Sequence, residues 1–491
     1  MNIHNLCRTA ALLSVLLLTV GGTMSACGGE TVDTPVSGSV SDETAPAETE
    51  APDKYDLLKT RDYGGYEFRV MTTYSNYAFT DFDVDAATGD ILEDTVYKRN
   101  RAVEEKMNIT IVNTKGQGYN DVDDRLRLDA AAGDDNFDLM FSEAGISAQS
   151  ASNGSMLNLL SIPDIDFSNS WWEQNTLKDY KINGELYFTH SPMHLHYYES
   201  LVAILFNKHV AEEYQLDDMQ TLAAAGSFTI DAMNEAARKC TQDMNGDGKM
   251  NAAEDLFGSA ISTNLLPYFV LGADCRFTEM EDGRIVYHGV SDRLASFTEK
   301  LTGIVTKNGY IGYTTPGVET YADGYVGAFL SNHALFYVDV LGHVKDMRKM
   351  DADFGILPLP KFDEAQESYL STNYCGAAIL FVPVTDAHAE EIGPILEMLG
   401  AYSERDLLPA YYEVNIMTKG LRDEASAEML HLMLDNITFD LSLVFQLNNI
   451  NYLYETTVIQ NKPIVSAFEK QEKRLQKSID TMMGAFYSDG Q

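Results

Sequence analysis

"YEFRVMT", residues 66–72, sets the reading of the chain. Phe68 and Val70 alternate with Glu67 and Arg69, the period-two pattern of a strand with one buried face. The next segment, "TVYKRNRAVEEKM" (95–107), has apolar residues at helical spacing, and "NITIVN" (108–113) returns to a strand with Ile109 and Ile111 on one face. "DVDDRLRLDAAAG" (121–133) then reads as a helix and "FDLMFSE" (137–143) as a buried strand. Strands separated by whole helices cannot be hairpin partners, so this rhythm argues for a mostly parallel sheet covered by helices. The same alternation resumes after a helix at 229–240 and again at "FGILPLP" (354–360) and "AAILFVPV" (377–384). No repeat of fixed period interrupts it.

The N-terminal residues read differently. Arg8 precedes an apolar run, "AALLSVLLLTV" (10–20), and small residues lead to Cys27, an order that fits a secretory signal too short to span a bilayer. Small residues before a Cys, with Gly28 and Gly29 after it, resemble the bacterial lipobox, in which the Cys is lipidated and becomes the new N-terminus. Residues 28–53 hold three prolines, seven carboxylates, no Lys or Arg and no aromatic residue, so an extended acidic tether is expected over 28–54. The net charge is −39, and loss of Arg8 with the signal leaves about −40. Such a field repels nucleic acid and anionic lipid. Cys7 leaves with the signal and Cys27 takes lipid, so Cys240, Cys275 and Cys375 remain, too few for a disulfide framework. Cys240 shares a helix face with Ile230, Met233, Ala236 and Ala237, which assigns it to packing.

Several stretches together resemble the extracellular solute-binding proteins of bacterial ABC importers, of the large clostridial type related to sugar-binding members. They are "YGGYEFRVM" (63–71), "YKRNRAVEEKMNITI" (97–111), "AAAGDDNFDLMFSEA" (130–144), "SWWEQN" (170–175), "ILFNKHV" (204–210), residues 228–258, "DADFGILPLPKFDEAQESY" (351–369) and residues 409–426. The resemblance implies an α/β, two-lobed periplasmic-binding-protein-like fold of type II, each lobe a helix-covered sheet, with solute held between the lobes and hinge closure presenting it to a permease. On this basis lobe 1 is expected over 55–198 plus 376–410 and lobe 2 over 199–375 plus 411–491. The chain would cross near 198–202, near 369–376 and somewhere in 401–419. A monomer on the outer face of the membrane, with ABC permease subunits and a carbohydrate as partners, is the implied setting.

"DMNGDGKMNAAED" (243–255) fits a calcium loop. Asp243, Asn245 and Asp247 offer side-chain oxygens at positions 1, 3 and 5, Gly248 permits the turn, Lys249 offers its carbonyl, and Glu254 stands at position 12. Asp255 follows it, so either carboxylate could be the last ligand of a structural Ca²⁺. "DLFG" (255–258) leads into a strand rather than a second helix, which argues against a paired EF-hand and for a brace between the 229–240 helix and the next strand. His190, His194, His196 and Glu199 lie close in sequence; a strand would put His194 and His196 on one face, but packed or solvated histidines are expected over a zinc site. Trp171 and Trp172 could stack on sugar rings or pack. Tyr198, Glu199, Asn373, Tyr374, Tyr411 and Tyr412 are ligand candidates because they fall at the implied crossings. No nucleophile elbow, HExxH, phosphate loop or dinucleotide turn occurs, so no enzyme is expected. The rival readings are an anchored glycan hydrolase and a module reporting to a membrane sensor.

Overall fold

The computed structural model describes residues 54–307, 309–312, 315, 318, 322–416 and 423–487. The signal, the lipidation candidate Cys27 and the tether up to residue 53 lie outside them. A short leading unit ends at Leu58, and one compact unit, Lys59–Gln491, contains both sheets.

The first sheet grows out of the opening stretch. β1 (Tyr66–Thr72) buries Phe68 and Val70 completely. α1 (Ile91–Met107) begins four residues before the helix read from sequence, because the Asp90 side chain accepts the N–H groups of Leu92 and Glu93 and so caps it. It ends where Asn108 turns left-handed at φ 50°. β2 (Ile109–Lys115), α2 (Asp121–Ala132), β3 (Leu139–Glu143) and α3 (Ala144–Ser152) follow. β1 lies parallel to both β2 and β3, with Phe68 opposite Ile111 and Val70 opposite Leu139.

The second sheet contains β4 (Val202–Asn207), β5 (Phe257–Ile261), β8 (Tyr310–Ile311), β9 (Ala334–Val340) and β10 (Phe354–Leu357), in the order β10-β4-β9-β5-β8. A separate hairpin pairs β6 (Glu279–Glu281) with β7 (Arg284–Val286). α4 (Ile230–Cys240) packs on β5 and on α5 (Asp292–Lys307), with Ile230, Met233, Ala236, Ala237 and Cys240 all buried. β11 (Ala378–Phe381) then closes the first sheet, in the order β11-β3-β1-β2.

The sheets are less parallel than the sequence rhythm suggests. β5 is parallel to β8 and β9, but β4 is antiparallel to both β9 and β10, and β11 is antiparallel to β3. These antiparallel strands are fully buried apolar runs, in which periodicity carries no sign of direction. Their direction follows from how the chain passes between the sheets. It enters the second at Val202 and re-enters the first at Ala378, and the two passing segments run side by side. Leu201 bridges to Asn373, the Val202 N–H donates to the Thr372 carbonyl (3.0 Å), and the Tyr374 N–H donates to Ser200 (2.9 Å). After β11, α6 (Gly393–Tyr402) packs on α1 and continues through π-helical turns at Ser403–Leu407 and Tyr412–Ile416. α7 (Glu424–Asp435), packed on β10, α8 (Ile450–Ile459) and α9 (Glu472–Tyr487) complete the chain.

Candidate functional site

In open α/β sheets, ligands gather at the carboxyl ends of the strands, where loops leave the sheet and backbone groups are free to make contacts. On the first sheet those ends are followed by Tyr74 after β1, Tyr119 after β2 and α3 after β3. Tyr74 and Tyr119 meet edge-on, with ring centres 5.1 Å apart, and Tyr119 is 41% exposed. Glu143 is the last residue of β3 and is half-buried. Burial pushes its carboxyl up to about 8, and among the described residues no donor reaches it. Its charge is felt by the hydroxyls of Tyr77, Tyr119 and Tyr374 and by the Cys375 thiol.

Three further segments meet here. The returning crossing is tied to α3: the Ala144 N–H donates to Ala377 (2.9 Å) and the Gly145 N–H to Cys375 (2.7 Å). The loop after β5 brings Asn264, which hydrogen-bonds Tyr374, and Tyr268, whose hydroxyl accepts the Cys375 N–H (3.0 Å). Before and within α8, Gln446 donates to the Gly145 carbonyl (3.1 Å) and Asn451 to the Tyr268 hydroxyl (3.2 Å). Gln446, Asn448 and Asn449 all hold positive φ (46°, 50° and 54°), a cluster of left-handed non-glycine residues of the kind found at ligand clamps. Rings, amides and one unpaired carboxylate therefore converge around Cys375. This is equipment for non-covalent recognition, since burial pushes the Cys375 thiol up to about 11 and keeps it from acting as a nucleophile.

The chain superposes on solved binding proteins over almost all of its described length. It aligns with a cyclo/maltodextrin-binding protein complexed with maltotetraose (TM-score 0.57, 12% identity, 87% of this chain and 98% of that one). A galacto-N-biose/lacto-N-biose I-binding protein of an ABC transporter from Bifidobacterium longum, in complex with lacto-N-biose, matches as well (0.57, 13%, 87% and 100%). So does UgpB from Mycobacterium tuberculosis in complex with glycerophosphocholine (0.57, 15%, 85% and 99%). The chain has a periplasmic-binding-protein fold. No family model matches the sequence, and no curated protein does.

Within this fold, most of the residues singled out from sequence lie at the paired crossing segments or in the packed core. Tyr198 is buried and donates to Glu173 (3.1 Å), and Asn373 is buried and donates to the Tyr197 carbonyl (2.6 Å). Glu199 is buried, accepts the Phe79 N–H, and is pushed up to about 7 by burial. Tyr411 is fully buried, and half-buried Tyr412 packs against it and against Tyr198. Trp171 and Trp172 are buried in the first lobe, where Trp172 donates to Glu397 (2.7 Å) and Trp171 abuts Gly400 of α6. Of the eight, Tyr374 and Asn373 reach the convergence at Cys375, where both line a small cavity with Ala144 and Tyr268. Tyr74, Tyr119, Glu143, Asn264, Gln446 and Asn451 were missed from sequence; their signal is position, just past a strand end or in the Asn-rich "FQLNNIN" (445–451).

The histidines are core residues, and the strand considered for them is instead a one-turn helix, His196–Glu199. His190 stacks on Tyr197 and pairs with the Ala378 carbonyl (2.7 Å), His194 stacks on Phe141, and His196 pairs with the Tyr77 hydroxyl (2.9 Å). Burial pushes His190 and His194 down to about 3, so both are neutral.

The 243–255 loop sits between α4 and β5, its ends tied by reciprocal backbone bonds between Gln242 and Leu256. Asp243 accepts the N–H groups of Gly246 and Gly248, and Asn245 and Asp247 make similar short turns; Gly246 and Gly248 supply the positive φ that the curl requires. The two end carboxylates differ. Asp255 is fully buried and accepts the N–H groups of Met244 (2.9 Å) and Asn251 (2.7 Å), whereas Glu254 is exposed and accepts from Asn245 (3.1 Å). Asp243, Asn245, Asp247 and Glu254 carry the oxygen chemistry of a calcium loop, but the carboxylates of Asp243, Asp247 and Glu254 are not gathered into one cluster, and Asp255 serves the loop backbone.

Proposed function

We propose that the protein is a lipid-anchored extracellular receptor that captures a carbohydrate, of oligosaccharide size, between its lobes and delivers it to an ABC permease. The observations that carry this reading are half-buried Tyr74 set against exposed Tyr119 past the carboxyl ends of β1 and β2, and Tyr374 and Tyr268 held by Asn264 and Asn451 at the returning crossing. Ring faces suit the C–H faces of sugars, and amides and hydroxyls suit their hydroxyl groups. Two of the structures it resembles hold maltotetraose and lacto-N-biose. The lipid anchor at Cys27 and outer-face location rest on the sequence; no helix among the described residues is long and apolar enough to cross a membrane.

Calcium is part of the proposal as a structural ion, held by Asp243, Asn245, Asp247, Glu254 and the Lys249 carbonyl, with Asp255 shaping the loop from outside. Bound there, it would neutralise a carboxylate-rich turn and stiffen the link between α4 and β5.

A thermal-shift screen of oligosaccharides, with peptides as controls and calcium held constant, tests the receptor. A true ligand at 100 times its dissociation constant stabilises the fold by about 2.7 kcal/mol. Peptide-only shifts would sink the carbohydrate reading, and release of reducing sugar from a bound glycan would make the protein a hydrolase.

A further inference from the structure

Three aspartates from distant parts of the chain meet at the end of the first sheet where β3 begins. Asp135 and Asp138 lie in the loop that leads into β3, and Asp386 lies in the turn that follows β11. Phe381 of β11 pairs with Met140 of β3, which brings the exit of one strand beside the entry of the other. A carboxylate oxygen from each of the three aspartates lies within 4.8 Å of the other two. Asp138 is fully buried and Asp386 is 7% exposed, while the Asp135 side chain, 31% exposed, gives the group a face to solvent.

Their charges are unevenly answered. The Arg69 guanidinium pairs with Asp135 (2.7 Å) and with Asp138, and the Arg69 backbone N–H also donates to Asp138 (2.6 Å). Tyr66 adds its hydroxyl to Asp138 (2.8 Å). Among the described residues neither Arg69 nor Tyr66 bonds to Asp386. One Asp386 oxygen accepts the His388 N–H (2.8 Å), and the other, Oδ2, is buried without a hydrogen-bond partner. A carboxylate oxygen left dry and unpaired beside two other carboxylates is costly. Burial, with Asp138 and Asp135 adding to it, pushes Asp386 up to about 7, so near neutral pH a cation competes there only with a proton.

A divalent cation answers the whole group. Calcium holds oxygen ligands at about 2.3–2.6 Å, so two oxygens on one ion stand no more than about 5 Å apart, which matches the spread of these carboxylates. Three carboxylates and one guanidinium leave two negative charges for it to balance. The group offers oxygen alone, which selects a hard ion over zinc or copper. Magnesium parts with its water reluctantly and suits a dry carboxylate less well than calcium does.

We propose that Asp135, Asp138 and Asp386 hold a structural Ca²⁺ distinct from that of the 243–255 loop, fastening the exit of β11 to the loop that opens β3. The site joins segments far apart in sequence, so it exists only in the folded chain and its binding free energy adds to stability. It lies at the amino end of β3, whereas Tyr74 and Tyr119 lie past the carboxyl ends of the parallel strands β1 and β2. The ion therefore acts on stability rather than on solute.

Equilibrium dialysis of the purified protein tests this at pH 8, where Asp386 is ionised, and at physiological ionic strength, which screens the diffuse charge of the chain. Free Ca²⁺ is carried to about 5 mM, above the ~10⁻⁴–10⁻³ M range of extracellular calcium modules. Two equivalents are expected in the natural chain and one in Asp386→Asn. Asp135→Asn, at the solvent side of the group, should weaken the same equivalent at least tenfold and serves as the second variant. In chelator Asp386→Asn should melt above the natural chain, because an amide removes the unpaired charge and still accepts the His388 N–H, and added Ca²⁺ should raise its melting temperature by less. Those curves also establish that the variants are folded. Equal numbers of bound ions in Asp386→Asn and the natural chain overturn the inference. One equivalent that Asp386→Asn removes and Glu254→Gln keeps supports it and overturns calcium in the loop instead. No bound calcium in the natural chain overturns both sites and leaves the receptor reading untouched.

Discussion

Trp172 and Glu143 were equally plain in the sequence, yet one looked like a ligand contact and the other like nothing. A tryptophan announces itself by type, but whether it stacks on a solute or fills a core depends on what lies across from it. Here that is Glu397, 225 positions away. Trp172→Phe keeps most of the packing but strips a buried acid of a donor, so a loss of about 1–3 kcal/mol in urea unfolding is expected, with solute affinity unchanged. A variant of full stability and weakened affinity would put the indole in the cleft after all. Glu143 was invisible because its significance is an absence, the missing partner, which only coordinates reveal. Burial raises its carboxyl from 4.5 to about 8, so the folded state holds the proton more tightly than the unfolded one. That contribution is full below about pH 4.5 and is lost as pH rises through 8. Tyr77, Tyr119, Tyr374 and Cys375 face it and stay neutral over this range, all being pushed upward. Without solute, Glu143→Gln should therefore gain melting temperature relative to the natural chain between pH 5 and pH 8.5; parallel curves would mean that the carboxylate is already solvated.

At the scale of elements, the strands were the most legible feature and their direction the least. "YEFRVMT" is β1 from end to end, because alternation and a half-buried face are local properties. The antiparallel course of β4, β10 and β11 is set by where the chain passes between sheets, which no short window of sequence contains. The 243–255 loop lies between these extremes. Its turn chemistry was readable, but Glu254 and Asp255 were indistinguishable until burial and hydrogen bonds separated them. The division of labour predicts different responses to chelator. Removing calcium should lower the melting temperature of the natural chain while solute still binds below the transition. Glu254→Gln should mimic chelation and then be insensitive to it. Asp255→Asn should cost about 1.5–3 kcal/mol with or without calcium, because one of its two charge-assisted N–H contacts must be lost. If Glu254→Gln behaves as the natural chain does in calcium titrations, that side chain is not a ligand.

For the whole molecule, the resemblance to binding proteins conveyed the two-sheet plan, but not which crossing residues would be solvent-facing. Two crossings packed side by side leave little room between them, so Tyr198, Glu199 and Asn373 are buried in the packing around them. Tyr374 is the exception because Gly376 makes space for it. A Cβ on Gly376 would stand 2.6 Å from the Tyr374 ring and 3.1 Å from the Tyr77 hydroxyl, itself bonded to Ser200 and His196. The ring cannot keep its place beside a larger residue, and Tyr77 is too well held to yield first. Gly376→Ala is therefore expected to cost about 1–3 kcal/mol in unfolding through overpacking. On the proposed receptor reading its larger effect should be on solute affinity, since the displaced ring belongs both to the crossing and to the group of side chains around Cys375. Calorimetry and urea unfolding on the same preparation separate the two. A stability loss with unchanged affinity would make Tyr374 scaffold only, and the proposed recognition would then fall to Tyr74 and Tyr119 past the ends of β1 and β2.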